Sequence, residues 1–119
     1  MALARQRAER ILAINYTDLP TEAIRWAKTG IVDTLAVTMA GANEPCTCIA
    51  ESVPGISDSN GRAVIIGKGR RTSVLDAAFI NGIASHALDY DDVNNQIGGH
   101  PSVPLVPALF AFGLSLIHI

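Results

Sequence analysis

The chain has 119 residues and a formal net charge of -2, which gives no electrostatic basis for binding nucleic acid or an anionic membrane surface. It is 49% hydrophobic and 17% charged, whereas a typical soluble domain has about 25% charged residues. This composition favours a piece of a larger helical domain over an unusually hydrophobic small protein. No apolar run has the roughly 18 residues of a membrane span. Charged residues also interrupt Met1–Ile14, unlike a signal peptide, so we expect a soluble cytoplasmic protein.

Two helices are predicted in the first part of the chain. The first covers Ala2–Ile14, where apolar residues form a stripe, and Thr17–Pro20 ends it. The second covers Pro20–Ala40, because proline suits a first helical turn and because apolar residues recur every four positions, at Ala23, Ala27, Ile31, Leu35 and Met39. Gly30 within this helix permits close approach of another helix, and Gly41 lies where a C-cap is expected.

The middle of the chain predicts short elements. Pro45–Val53 is compatible with a third helix, and Pro54–Gly61 has the composition of a loop. The β-branched run Ala63–Ile66 predicts a short strand or extended arm. Gly67–Arg71 then predicts a surface turn, because it lacks the G-x-x-x-x-G-K-[ST] order of a phosphate-binding loop.

Two further helices are predicted before and after an acidic loop. Ser73 can cap the first of them, with Asp76 as its capping-box partner, and this helix extends to about Leu88. Its buried stripe is predicted at Ala77, Ile80, Ala84 and Leu88. The last helix is predicted over Val103–Gly113, although Pro107 is an unfavourable residue inside it.

A cluster of titratable residues follows the fourth helix. Asp89, Asp91 and Asp92 lie within four residues at a helix end, where the helix dipole and mutual repulsion both disfavour ionised carboxylates. His86 shares a helix face with Asp89 if the helix continues, and two glycines let the loop bring His100 back. A histidine oriented by a carboxylate is a common acid/base group. A solvated acidic loop with a helix-capping histidine explains the same residues equally well.

Two patterns in the sequence are compatible in part with a metal site. Asp91 and Asp92, with Asn95 three residues on, are similar to the aspartate-rich Mg²⁺ motif of prenyl-chain synthases, which would make the loop a diphosphate-binding site. Cys46 and Cys48 are the only cysteines, too few for a structural zinc site, so they are interpreted as free thiols.

The order of several segments resembles the MmgE/PrpD family, which includes 2-methylcitrate dehydratases and cis-aconitate decarboxylases. The resemblance covers residues 5 to 113 and is carried by Asp33–Ala36 with Ala40–Gly41, Gly67–Gly69, Ala77–Gly82, His86–Asp92 and His100–Ser102. It implies an all-α, mainly helical bundle that is part of the family's large helical domain. Residues 1–113 would form a partial domain, and 114–119 would be a tail that does not resemble the family.

The resemblance also implies a chemistry. Family members dehydrate, decarboxylate or epimerise short polycarboxylates, usually as homodimers, with no required metal and no cofactor. It implies that Asp89 and His100 are catalytic, and we predict that Asp92 and His86 bind substrate, with no metal ligand among them. Position 93, often threonine in the family, is Val93 here, which removes a hydroxyl group.

The family binds its substrate with lysines and a tyrosine from later in its chain. We therefore expect an amino-terminal lyase fragment that is inactive alone, bound in the full-length parent to a small polycarboxylate and to a second subunit. One alternative is a non-catalytic helical module that dimerises through its apolar stripes. The other is a Mg²⁺-dependent prenyl-type enzyme that uses the aspartate-rich loop.

Overall fold

Five α-helices and one β-hairpin make up the part of the chain that the computed structural model describes, residues 2–116. The mainly helical fold class predicted from the sequence is therefore confirmed. None of the described helices has both the length and the apolar character that a membrane span requires. The elements in chain order are α1 Ala2–Leu12, a single 3-10 turn Tyr16–Asp18, α2 Thr21–Gly41, α3 Pro45–Ser52, β1 Ala63–Ile65, β2 Arg70–Thr72, α4 Val74–His86 and α5 Val106–Leu116.

Helix α4 is the central element of the fold. It packs against α2, α3, α5 and the hairpin, and it buries Ala77, Ile80 and Ala84 as predicted. Leu88, the fourth residue of the predicted stripe, lies beyond the helix and is half-buried, because α4 ends at His86. Small residues dominate this core, so the helices approach closely where their side chains are alanine or glycine.

Helix α2 is buried on a different face from its apolar stripe. Thr34 and Thr38 are buried, whereas Ile31, Val32 and Met39 are exposed. The threonine hydroxyls donate to carbonyl oxygens one turn earlier, at 2.7 Å for Thr34 and 2.6 Å for Thr38. Because the helix itself satisfies these hydroxyls, the threonines can be buried without a separate partner. Most of the apolar stripe of α2, apart from the half-buried Leu35, therefore lies outside the face that packs on the rest of the described chain.

A β-hairpin lies where the sequence predicted a surface turn after a short strand. Strand β1 pairs antiparallel with β2, with Ala63 opposite Thr72, so the end of the predicted turn is a strand. Gly67 and Gly69 have φ of +79° and +63° and form the turn itself. Asn81 of α4 fixes the hairpin, since its side chain accepts from the backbone N–H of Ile66 and donates to the carbonyl of Val64, each at 2.9 Å.

The ends of α4 and α5 decide where the acidic loop lies. Ser73 caps α4 as predicted, accepting from the backbone N–H of Asp76 at 3.1 Å. Helix α5 begins at Val106 rather than Val103, after a turn in which the N–H of Val106 donates to Ser102 O at 2.8 Å. Pro107 is consequently in the first turn of α5, where a backbone N–H would have no partner within the helix. Proline is therefore tolerated at this position, although the sequence predicted it inside the helix.

We expect Asp76→Asn to lower stability at neutral pH by about 1–2 kcal/mol, because the carboxylate accepts several hydrogen bonds. Its donors are the hydroxyls of Ser59, Ser73 and Thr72. The Ser59 hydrogen bond, followed by that of Ser73, holds the pKa of Asp76 below its ordinary value. A depressed folded pKa adds stability above the unfolded value, about 4, which is lost as the pH falls through the folded value.

Urea denaturation at pH 7 and at about pH 2–3 measures this effect. The difference in the free energy of unfolding between Asp76→Asn and the unsubstituted chain should be smaller at the lower pH. At that pH the Asp76 carboxylate is increasingly protonated in the unsubstituted chain. Asp58→Asn, in the exposed loop, is the matched control and should change stability little at either pH. An Asp76→Asn penalty that is the same at both pH values contradicts the assignment.

Candidate active site

The acidic loop begins with a sharp turn at the end of α4. Asp89 has φ of +55°, in the left-handed region, and its backbone N–H donates to His86 O at 3.1 Å. Aspartate tolerates this conformation better than most residues other than glycine. The turn reverses the chain immediately after the helix, so that the side chain of Asp91 lies against the ring of His86.

Two contacts close the loop and bring His100 back to α4. Asn94 and Gly99 form an isolated antiparallel bridge, in which Asn94 N–H donates to Gly99 O at 2.9 Å. The carboxylate of Asp92 accepts from the backbone N–H of Ser102 at 3.1 Å and from its hydroxyl at 2.6 Å. Since Ser102 begins the turn that leads into α5, these bonds fasten the acidic loop to the start of the last helix.

Asp91 is the centre of the cluster that results. Its side chain is 1% exposed, and its oxygens lie 2.9 and 3.1 Å from Nδ1 of His86. With a proton on that nitrogen, His86 donates to both oxygens. Nδ1 of His100 also lies 2.9 Å from Asp91 Oδ2. This second nitrogen is fully buried but not aligned for a hydrogen bond, so its contact with Asp91 is electrostatic.

The two imidazole rings meet edge to face, with centroids 4.6 Å apart and an interplanar angle of 69°. Nε2 of His100 faces Asp89, whose Oδ1 is 3.6 Å away. The exposed fraction of the side chain rises outward through the cluster, from 27% for His100 to 52% for His86 and 77% for Asp89. The cluster therefore has a buried carboxylate at its base and an exposed one at its rim.

The structure brings together three of the four residues singled out from the sequence, namely His86, Asp89 and His100. Asp92 does not join them, because its carboxylate is held by Ser102. Asp91 was missed as the central group. Asp91 and Asp92 are adjacent in a non-helical segment, where consecutive side chains point in opposite directions. That alternation indicates that only one of the two can face the histidines, although it does not indicate which.

Two clefts flank the cluster. One, of about 620 Å³, is lined mainly by apolar side chains of α4 and the segment before α5, with His86 in its wall. The other, of about 720 Å³, is lined by Asp92, Ser102 and Tyr90 together with residues of α2 and α5. Among the described residues that line these two clefts, none is a lysine or an arginine. The first cleft can hold a small molecule against His86, but neither cleft offers a permanently charged cation from its described lining.

Comparison with known proteins gives a consistent result. Residues 5–116 match the MmgE/PrpD N-terminal domain, three residues beyond the boundary predicted from the sequence. The chain is 31% identical to human cis-aconitate decarboxylase over 110 residues, which is 92% of this chain and 23% of that protein. It is 30% identical over 101 residues to the cis-aconitate decarboxylase-like protein oryM of Aspergillus oryzae, covering 85% of this chain and 21% of that protein. The mouse cis-aconitate decarboxylase is 30% identical over 110 residues, or 92% of this chain and 22% of that protein. The chain thus spans about a fifth of the length of these curated relatives.

Proposed function

Since the chain belongs to the MmgE/PrpD family, we propose that its His–Asp cluster supplies the proton-transfer groups of a lyase that removes water or CO₂ from a short polycarboxylate. One observation carries the proposal: the buried carboxylate of Asp91 lies 2.9 Å from Nδ1 of both His86 and His100. A carboxylate behind one ring nitrogen leaves the other nitrogen of the ring for a substrate, which is the usual arrangement of a histidine acid/base. The printed names of the relatives favour the same substrate class.

His100 is the proposed acid/base. Loss of water or CO₂ from a polycarboxylate requires a proton to move at a carbon next to a carboxylate. The buried carboxylate of Asp91 lies 2.9 Å from Nδ1 of His100, while Nε2 faces the exposed rim of the cluster. His100 can therefore give up and take back a proton at Nε2 without moving its ring.

Asp89 and His86 are the residues proposed to contact the substrate. Asp89 lies at the rim, 3.6 Å from His100 Nε2, where its carboxylate can accept a hydrogen bond from a substrate hydroxyl or from the protonated ring. His86 is in the wall of the apolar cleft of about 620 Å³ and, when protonated, can face a substrate carboxylate. For Asp92 we propose a positioning role in place of substrate contact, because both of its oxygens already accept from Ser102.

The substrate carboxylates need cations that the two clefts do not provide. We propose that these come from parts of the family's fold that correspond to the remaining four fifths of the relatives, and that the full-length parent is a homodimer. The described chain alone would then bind a polycarboxylate weakly and would not turn it over.

A graft tests this proposal. Residues 5–116 would replace the matching segment of human cis-aconitate decarboxylase, and the purified graft would be assayed with cis-aconitate and with 2-methylcitrate. We expect turnover of at least one of the two by the graft and none by the 119-residue chain, with the unmodified human enzyme as the control. A graft that melts cooperatively yet acts on neither substrate would overturn the proposal. Turnover by the chain alone would overturn its inactivity in isolation.

A non-catalytic dimerising module is the second candidate, and a specific observation favours it. Large apolar side chains remain exposed on α2 and α5, among them Val32, Met39, Leu109 and Phe112. Faces of this kind usually mark contact surfaces. Sedimentation equilibrium of the chain distinguishes the candidates: a single dimeric species that melts cooperatively, together with a graft that is folded and inactive, favours the module.

A further inference from the structure

Four possible metal ligands converge at the cluster: His86, Asp89, Asp91 and His100. Each residue offers one ligand atom, and these four atoms all lie within 4.8 Å of one another. We propose that this cluster is a binding site for one divalent ion of the Zn²⁺ class. The proposal does not depend on the lyase function, because it concerns the ligand set alone.

The distances in the cluster are close to those that a tetrahedral ion imposes. Zn²⁺ bound to nitrogen and oxygen at 2.0–2.1 Å places its ligand atoms about 3.3 Å apart. Asp91 lies 2.9 Å from Nδ1 of each histidine, whereas Asp89 lies 3.6 Å from Nε2, the other nitrogen of the His100 ring. Shifts of a few tenths of an ångström would fit the three inner groups around an ion. Asp89 faces Nε2 of His100, so its side chain would have to turn towards the ion to complete the shell, and otherwise water takes that position.

The orphaned nitrogen of His100 is a second, independent observation. Nδ1 of His100 is fully buried and has no aligned hydrogen-bond partner, although buried polar atoms nearly always have one. It lies 2.9 Å from the same carboxylate that Nδ1 of His86 contacts. An ion between the two nitrogens and Asp91 would satisfy this atom directly.

Charge and ligand type select the class of ion. The ion pairs found for Asp89 and Asp91 are with histidines. With both imidazoles neutral, the two carboxylates carry a formal charge of -2, which a divalent ion balances. Imidazole nitrogen favours Zn²⁺, Co²⁺ or Ni²⁺ over Mg²⁺ and Ca²⁺, which prefer shells made of oxygen. The ion would also occupy Nδ1 of His100 and remove the buried negative charge behind it, so it would block acid/base chemistry at this histidine.

Titration of the 119-residue chain with Co²⁺, followed by its visible absorption, and displacement by Zn²⁺ test the site. The chain would carry Cys46→Ser, Cys48→Ser and His118→Gln, so that thiols and the remaining histidine cannot supply ligands. We expect one ion per chain with the absorption of a tetrahedral site. Affinity should fall at least about 10- to 100-fold in His86→Gln and in His100→Gln. Asp58→Asn, an exposed carboxylate of the loop between α3 and β1, is the matched control and should keep the affinity.

A second measurement uses no cluster variant, in case these variants fail to fold. Nitrogen-15 spectra of the histidine side chains report which ring nitrogen binds the ion, and we expect Nδ1 of His86 and of His100 to shift on addition of Zn²⁺. Absence of binding, binding that survives both His→Gln substitutions, or spectra in which neither Nδ1 shifts would overturn the proposal. Because no substrate is present, failure here leaves the proposed lyase function standing, and failure of the graft leaves this site standing.

Discussion

His100→Gln is expected to lower kcat of the grafted enzyme by about 10²- to 10⁴-fold, the usual contribution of a positioned acid/base. Glutamine fills much of the volume of histidine and can still hydrogen-bond, but it cannot exchange a proton near neutral pH. The loss should appear in kcat more than in KM, because His100 is proposed to act on the reacting carbon and not on the substrate's carboxylates. Steady-state kinetics with cis-aconitate and with 2-methylcitrate measure both constants.

Two further variants separate proton transfer from structure. Gln96→Ala, in the exposed part of the same loop, should leave both constants unchanged. His86→Gln should mainly raise KM, since His86 is placed at the wall of the cleft and not at the reacting atom. A His100→Gln enzyme whose kcat stays within about threefold of the unsubstituted graft would show that His100 is not the acid/base, since even a modest general acid contributes about 10²-fold.

Asp91→Asn distinguishes a positioning carboxylate from a merely structural one. The amide keeps the shape of the side chain but has no charge and only one acceptor oxygen, so it should hold the rings of His86 and His100 less firmly. We therefore expect a lower kcat with little change in KM, because the proposed acid/base is less well positioned while substrate binding is retained. A change in protein stability alone would leave kcat of the folded enzyme unchanged.

The local parts of this fold could be predicted from the sequence, because their signals lie within a few residues. The cap formed by Ser73 and Asp76 and the buried stripe of α4 are examples, since each depends on contacts within one helix or on its spacing. Strand β2 could not be predicted, because its residues include two arginines and become a strand only by pairing with β1. The buried face of α2 was missed for a related reason: threonine is polar by composition, yet its hydroxyl is satisfied by the preceding turn.

The site shows the same division between local and non-local information. The sequence indicated that an acidic loop and His100 could meet near His86, because glycines in the loop permit it to turn back. It could not indicate which aspartate would be buried, since that depends on the left-handed backbone of Asp89 and on the bonds between Asp92 and Ser102. Moving the turn by one residue would exchange the directions of Asp91 and Asp92.

Gly41→Ala is expected to destabilise the chain by about 3 kcal/mol or more, at the upper end of the range for overpacked interiors. A Cβ atom at this position would lie 2.1 Å from the carbonyl oxygen of Ala84 and 3.0 Å from Cβ of Ala87. These atoms belong to the backbone and short side chains at the end of α4, so nothing flexible can move aside. The two helices would have to separate where they pack most closely. Gly41, predicted as a C-cap, is thus the close-approach glycine, a role that the sequence suggested for Gly30.

Two matched substitutions make the Gly41 result specific to this contact. Gly30→Ala is in the same helix, where a Cβ would meet Ser102 Oγ at an ordinary 3.7 Å, so it should be tolerated. Gly82→Ala is in α4 facing open space, and it should stabilise the chain by about 0.5–1 kcal/mol through helix propensity. Urea denaturation of the three variants measures the differences. Because the end of α4 carries His86, separation of α2 from α4 in Gly41→Ala should also weaken Co²⁺ binding at the cluster, whereas Gly30→Ala should keep it. Equal stabilities for Gly41→Ala and Gly30→Ala would mean that α2 and α4 do not approach as closely in solution as the fold requires.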